Sequence, residues 1–371
     1  MIFVGVNCQS FLSNFAILKN DKTMLEDKPT RTELSEIGEF GLIDILTKNI
    51  ELKNKSSVKG VGDDAAVIDY GNKQTLITKD LLIEGVHFDL TYVPLKHLGY
   101  KAAVVNLSDI VAMNGTPVQL IIGIGASNRF SVEALEEIYK GFYLACEKYG
   151  VDIVGGDTVS SVSGLVISVT AVGEAKKDDI VYRNTAKKGD LLFVSGDLGA
   201  AYTGLLLLER EKAAFKADPN MQPDLDGYDY ILGRQLKPEA RTDVLKLLKD
   251  AGVKPTSMID ISDGLASEML HLCHDSDLGG AIYEEKIPID VTTAGVAEEF
   301  NIDPTTCAMN GGEDYELLFT IAQSDYEKLK GVEGLSVIGH MSDKNEGVNL
   351  VSRSGTLVPI EAQGWDAFFK K

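Results

Sequence analysis

His-Leu-Gly-Tyr-Lys-Ala-Ala-Val-Val-Asn-Leu-Ser-Asp-Ile-Val-Ala-Met-Asn, residues 97–114, is a helical run rich in Ala, Val and Leu. Gly115 stops it at a C-terminal cap position, with Pro117 beyond. Apolar residues nearly surround the stretch 102–113, so this helix is predicted to be buried, and its few polar side chains must face partners or a ligand cavity. Asn106 and Asp109 lie three apart and project from one face. A cap or an exposed turn does not account for Asp109, which sits mid-helix.

Outward from this helix the chain alternates between helix and strand. Apolar residues recur at helical spacing over 36–50, and strand-like runs at 65–68 and 75–83 flank a turn at 70–73, predicting a hairpin. A strand at 120–124, a helix at 132–149 and strands at 152–154 and 165–172 follow. The segment 173–190 is polar, charged and without apolar periodicity, which marks a domain boundary. Beyond it come a strand at 191–195, a helix near 200–208, a polar loop at 209–233, a helix at 238–251, a strand at 258–261, a helix at 265–273 and a strand at 315–321. The fold class is α/β (α+β). At 371 residues the chain exceeds the roughly 250–300 at which a single core stops growing, so two domains are expected. We divide the chain into an N-terminal extension at 1–34, a first domain at 35–178 and a second at 179–371.

Acidic residues stand where local structure does not ask for them. Gly60-Val61-Gly62-Asp63-Asp64 puts adjacent carboxylates in a glycine-permitted turn; a bound cation or plain solvation would stabilise them. Asp80 interrupts an apolar strand, where an unpaired charge is costly, so a partner such as Lys79 or a metal is implied. Gly155-Gly156-Asp157-Thr158 reads as a glycine turn that brings amides and a carboxylate to a strand's carboxyl end, where ligands favour α/β sheets. In Asp260-Ile261-Ser262-Asp263-Gly264, Asp260 and Ser262 share one face, and Asp263 opens a helix as either its N-cap or a ligand. Gly311-Gly312-Glu313-Asp314-Tyr315 sets two carboxylates between a glycine pair and a strand. Six such positions over both halves point to a polynuclear magnesium site, because oxygen-only ligation selects hard cations and magnesium shares substrate phosphates.

Composition excludes other classes. Apolar residues at 44% and charged residues at 25% are ordinary globular usage, which argues against a disordered or fibrous chain. The formal charge of −20 repels nucleic acid and anionic membranes, so neither is an expected partner. Cys8, Cys146, Cys273 and Cys307 form no paired framework, which points to a reducing, cytoplasmic compartment. The apolar stretch at 2–6 is too short for a signal or a membrane span, and Met24 offers an alternative start. There is no P-loop, protein-kinase signature or nucleophile elbow. His271, Cys273 and His274 mimic a zinc corner without a second pair of soft ligands.

Taken together, Gly62-Asp63-Asp64, Asp80 with Glu84-Gly85-Val86-His87-Phe88, Asn106-Leu107-Ser108-Asp109, Gly155 to Thr158, Asp260 to Gly264, Gly311 to Glu316 and Gly364-Trp365-Asp366 resemble the thiamine-monophosphate kinases. These belong to the superfamily that includes aminoimidazole-ribotide synthetase. The resemblance runs in family order from about Ser35 to the C-terminus. It implies a two-domain ATP-binding fold, a homodimer paired through the first domain, and transfer of the γ-phosphoryl of ATP to thiamine monophosphate, with several magnesium ions and no phosphoenzyme. By the same resemblance, Asp64, Asp80, Asp109, Asp157, Asp260 and Asp263 would be magnesium ligands. Tyr139, Gly156, Asp157, Arg183 and Ser262 would meet ATP, and His87, Glu313 and Trp365 would meet thiamine monophosphate. No side chain would act by covalent chemistry.

The chain departs from the family at Lys79, where a hydroxyl residue usually precedes the aspartate; an ammonium cannot ligate a cation, and Thr78 is the candidate substitute. The alternatives are another ATP-dependent synthetase of the superfamily and a non-catalytic nucleotide- or metal-binding module. Cys8 lacks the glycine-rich setting of a selenophosphate synthetase.

Overall fold

The computed structural model describes residues 32, 45–59, 67–68 and 73–361. In chain order, β1 (Ser57–Lys59), β2 (Val67–Ile68) and β3 (Gln74–Ile83) precede α1 (Leu95–Ala112), β4 (Thr116–Ala126), α2 (Val132–Tyr149), β5 (Asp152–Ser160) and β6 (Leu165–Ala175). Then follow β7 (Leu191–Ser195), α3 (Ala200–Ala217), α4 (Asp229–Leu236), α5 (Thr242–Asp250), β8 (Ser257–Asp260), α6 (Leu265–Ser276), β9 (Gly279–Tyr283) and α7 (Val291–Glu299). The remaining elements are α8 (Pro304–Asn310), β10 (Leu317–Ile321), α9 (Tyr326–Leu329), β11 (Leu335–Ser342), β12 (Val348–Val351) and β13 (Leu357–Pro359).

Four strands form one sheet in the order β3-β6-β4-β5, and seven form another in the order β13-β12-β9-β11-β7-β10-β8. Strands β4 and β5 run parallel, joined through α2 as a parallel crossover requires. Helix α1 packs against β3, β4 and β6 on one side and against α2, α4 and β8 on others, which accounts for its nearly unbroken burial. In the second sheet the period-two alternation splits the core. Phe193 and Phe319 stack in the apolar cluster that runs through α1 and α2 to the four-stranded sheet, while Leu192, Val194, Ile259 and Leu318 face a second cluster with α6.

Several sequence expectations change here. Strand β2 pairs with β1, and β3 pairs over its whole length with β6, so there is no hairpin between the runs at 65–68 and 75–83. Ten residues of β3 find a longer partner in β6 than a two-residue strand can offer. The expected polar loop at 209–233 holds the second half of α3 and most of α4. Its Glu, Lys and Ala residues are good helix formers, and the buried Glu211 is held by Arg210 and by the amide of Asp224. Gly155-Gly156-Asp157-Thr158 is not a turn but the middle of β5. Gly156 lets the neighbouring strand approach: a Cβ there would lie 1.9 Å from the carbonyl oxygen of Ile122. Helix α5 starts only at Thr242, four residues after Pro238. Of the helix expected over 36–50, only residues 45–47 are both described and helical.

The α1–α2 contact is set by two glycines. A Cβ on Gly99 would lie 1.9 Å from the Ile138 carbonyl oxygen, and one on Gly141 would lie 2.0 Å from that of Lys96. Each obstacle is backbone, so neither can yield without moving a helix. Gly141→Ala is expected to cost about 1–3 kcal/mol through this overpacking. Urea denaturation followed by circular dichroism checks it; unchanged stability would mean that the helices can separate freely.

Candidate active site

Helix α1 assembles the acidic cluster by reaching in two directions. Toward the four-stranded sheet, Asn106 accepts the backbone N–H of Asp80 at 2.9 Å, and Asp109 accepts the hydroxyl of Thr78 at 2.6 Å. Asn106 in turn donates to the Ala102 carbonyl at 3.0 Å, which fixes its amide. Toward the seven-stranded sheet, Ser108 donates to Asp260, the last residue of β8, at 2.6 Å in full burial. Asp80 and Asp260 come from one strand of each sheet and Asp109 from the helix between them, and the charge of Asp109 acts on both of the others.

Burial raises all three carboxyls. Asp80 is pushed up to about 6 by desolvation and the nearby Asp109, and Asp260 to about 7 by the same two causes, against the opposing Ser108 hydroxyl and Arg183. Asp109 is raised by burial, offset by Thr78 and Arg183. Carboxyls gathered where their own charges are unwelcome are suited to a cation supplied from outside. Thr78, Asp109 and Arg183 also line a cleft of about 680 Å³ with Ile77, Tyr182, Met258 and His274.

The loop after β8 is stitched to the loop before β10. Ile261 donates its N–H to the Glu316 carbonyl at 2.7 Å, Tyr315 to Ile261 at 2.8 Å, and Glu313 to Ser262 at 2.7 Å. Glu313 and Tyr315 adopt φ of 60° and 52°, the left-handed region that non-glycine residues rarely occupy, so strand β10 begins only at Leu317 and not at Tyr315. Gly312 is required, since a Cβ would stand 2.6 Å from the Ser262 carbonyl. The N-cap of α6 is Gly264, with no side-chain cap, so Asp263 is free of the capping role. The amides of Ser262 and Asp263 instead donate to Glu268 at 3.2 and 2.9 Å. Burial raises Asp263 as well.

Other expected site residues stand apart. Asp157 is cross-strand from Gly123, which pairs with Ser168 and then Leu81, so it shares the exposed open face of the sheet with half-exposed Leu81. Gly156 is its neighbour on β5. Lys79 lies on the face of β3 that points away from Thr78 and Asp80. Tyr139 is buried in α2 with its ring edge-on to Phe142 and Tyr143, and it is not among the cleft-lining residues. His87 is exposed in the turn after β3; its Nδ1 accepts the Ile83 N–H at 3.1 Å, which leaves Nε2 to face outward. Asp64 and Trp365 lie outside the described residues.

The sequence reading passed over Lys101, Ser108, Gln235, Arg234 and Glu268. Lys101 and Ser108 are seven apart on α1 and so share one face, the signal that could have found them. Arg234 lies 3.2 Å from Glu316 and 3.6 Å from Asp314, and Arg241 also pairs with Glu316, compensating the two buried carboxylates behind the Glu313 loop. Asp314 itself accepts the amides of Gly199 and Ala201, at 2.7 and 3.3 Å, at the start of α3.

Residues 62–175 match the family model described as AIR synthase related protein, N-terminal domain. The chain is 35% identical to the thiamine-monophosphate kinase of Aquifex aeolicus, over 90% of this chain and 99% of that one. It is 32% identical to the enzyme of that name from Bacillus subtilis, over 89% and 99%. Among solved structures, AaThiL complexed with AMPPCP and TMP is 34% identical with a TM-score of 0.71, covering 92% of this chain and all of that one. A hydrogenase maturation protein, HypE, in complex with ATP superposes with a TM-score of 0.66 at 19% identity and thus shares the fold. At 32–35% identity over about nine-tenths of this chain and nearly the whole length of these relatives, the chain belongs to the thiamine-monophosphate kinase family.

Proposed function

We propose that the chain transfers the γ-phosphoryl group of ATP to the phosphate of thiamine monophosphate, giving thiamine diphosphate, by direct in-line displacement. The observation that carries this reading is that Asp80 and Asp260, from strands of the two sheets, each lie close enough to Asp109 to feel its charge, and that Asp109 lines the cleft beside Arg183. Phosphoryl transfer asks a protein chiefly for positioning and charge, which this arrangement can provide.

The residues fit magnesium: the donors are all oxygens, and the carboxylates are raised by burial and by one another. Among the described residues no three acidic, imidazole or thiol side chains close on one point. Magnesium does not demand that, since it keeps waters and borrows phosphate oxygens. Asp64, Thr78, Asp80, Asp109, Asp157, Asp260 and Asp263 would hold several such ions, whose charge, when bound, offsets that of the polyphosphate and the transition state.

The chain's own groups have distinct tasks. Arg183 offers a cationic fork to phosphate oxygens. Ser262 is held by Glu268 and the Glu313 amide where it can meet ATP. Thr78 spends its hydrogen on Asp109 and keeps its lone pairs for a cation, on the face opposite Lys79. His87 presents Nε2, and Glu313 and Trp365 complete the thiamine pocket. Asp157 lies on the open sheet face, with Gly156 beside it on β5, and Ile77, Leu81 and Val159 are each at least half exposed on that face. Such an apolar face supports pairing with a second copy, which would cover these residues. We place the domain division near 178, between the last strand of the four-stranded sheet and the first of the seven-stranded one. Cys146, Cys273 and Cys307 are free thiols, in keeping with a reducing compartment.

ADP release coupled to thiamine diphosphate formation tests the reaction. Asp80→Asn and Asp109→Asn are each expected to lower turnover by about a hundredfold or more, roughly 2.7 kcal/mol, with the circular dichroism unchanged. Near-native turnover in both would refute the metal assignment. For Asp260 the folded carboxyl is raised above its unfolded value, so its contribution to stability is complete below the ordinary carboxyl range and is lost as pH rises from there to about 7. Without cations, Asp260→Asn is therefore expected to raise the melting temperature by several degrees at about pH 8 and far less at about pH 4; an equal shift at both would show that the charge is not the cause. Leu81→Glu is expected to convert the native dimer to monomer in sedimentation; a monomeric native chain would refute the pairing.

A further inference from the structure

A lysine is seldom found inside a protein, yet Lys101 is 7% exposed in the middle of α1, between the two sheets. Its ammonium donates to the carbonyl of Gln235 in α4 at 2.8 Å and to Oε2 of Glu313 at 3.0 Å. The side-chain amide of Gln235 donates to the same Oε2 at 2.9 Å. Two donors from two helices thus converge on one carboxylate oxygen. The other, Oε1, makes no hydrogen bond among the described residues, and the Glu313 side chain is a third exposed where that of Lys101 is almost covered.

Stability does not explain this arrangement. A buried ion pair often costs as much in desolvation as its attraction returns, and apolar replacement is frequently neutral or better. Gln235 adds a second cost, because turning its amide toward Glu313 leaves its own Oε1 buried without a partner. The Glu313 backbone is held as firmly, in a left-handed conformation by its bond to Ser262. Backbone and one oxygen are fixed, and one oxygen is left aimed outward.

We propose that Lys101 and Gln235 are positioning residues that hold Oε2 of Glu313 in the interdomain seam so that Oε1 meets the N–H or cationic edge of the phosphorylated acceptor. This rests on the functional reading above, in which Glu313 contacts thiamine monophosphate, and deepens it. With Lys101 behind it, Glu313 acts as a directed acceptor with little freedom to turn. The pair therefore serves acceptor recognition and leaves ATP binding to the aspartates and Arg183.

Steady-state kinetics on both substrates, with melting temperatures, test the proposal. Lys101→Met and Glu313→Gln are each expected to raise KM for thiamine monophosphate about tenfold, with kcat and KM for ATP within about threefold of native, the pattern of lost binding. Lys101→Arg should recover most of the loss. Gln235→Leu, which keeps the backbone acceptor for Lys101, should raise the same KM about threefold, and Lys101→Met added to Glu313→Gln should cost nothing more, because both act on one contact. Equal effects of Lys101→Met on both substrates, or a lower melting temperature with unchanged KM, would overturn the proposal. If Lys101→Met does not fold, Gln235→Leu decides, and an unchanged KM there overturns it. An unchanged KM in Glu313→Gln, with native turnover intact, would refute the Glu313 contact and the positioning with it, while the reaction itself would stand. No turnover of thiamine monophosphate by the native chain would refute the functional reading and the positioning with it.

Discussion

A polar side chain buried in a helix must be met by a partner, and α1 brings four polar side chains between two sheets. Asn106 and Asp109 are satisfied by β3, Ser108 by Asp260 of β8, and Lys101 by Glu313 and Gln235. None of these bonds tolerates a slip of the helix by one residue, since each would then leave a buried group unpaired at a cost of about 1–3 kcal/mol. The close approach of α1 and α2 at Gly99 and Gly141 closes the remaining route for such a slip. The register of one helix therefore sets where the acidic residues of both halves stand.

The cluster has a thermodynamic cost that the rest of the fold carries. Asp80, Asp260 and Glu268 are raised to about 6, 7 and 8, in each case chiefly by burial, so each resists ionisation in the folded chain. A chain selected for stability alone would place apolar or amide side chains there. Polar groups that weaken the fold and share one region mark a site whose charge is meant to be answered by a ligand. Behind the Glu313 loop Asp314 and Glu316 have cationic partners in Arg234 and Arg241, although burial still raises the Asp314 carboxyl to about 7.

What could be read from the chain follows from which interactions are local. The helix at residues 132–149 was legible to the residue because Ser131 caps it and Gly150 ends it in a left-handed turn. The burial of Asn106 and Asp109 followed from apolar residues on every side. Gly156 was misread as a turn, because glycine signals both a turn and a close strand, and only the backbone of β4 tells them apart. The second half of α3 was hidden by its polar composition, since its helix propensity carried no apolar stripe. Gln235 was illegible for a different reason, and Lys101 was legible only as a polar position on a buried helix: their shared partner is Glu313, more than seventy residues from either, and no local pattern names it. The face of the sheet on which Asp157 lies likewise depends on pairing through three strands.

The amides at the start of α3 are gripped by Asp314, the neighbour of Glu313. This makes the helix a lever with its fulcrum at the acceptor loop. Its 18 residues span about 27 Å at 1.5 Å per residue. A tilt of about five degrees at the fulcrum thus moves the far end by about 2 Å over that length. That end carries Arg210 and Lys216 at the surface, where Arg210 lies over the ring of Phe300. A fluorophore placed at Lys216 would sense, at a distance, angular changes in the acceptor loop too small to resolve there.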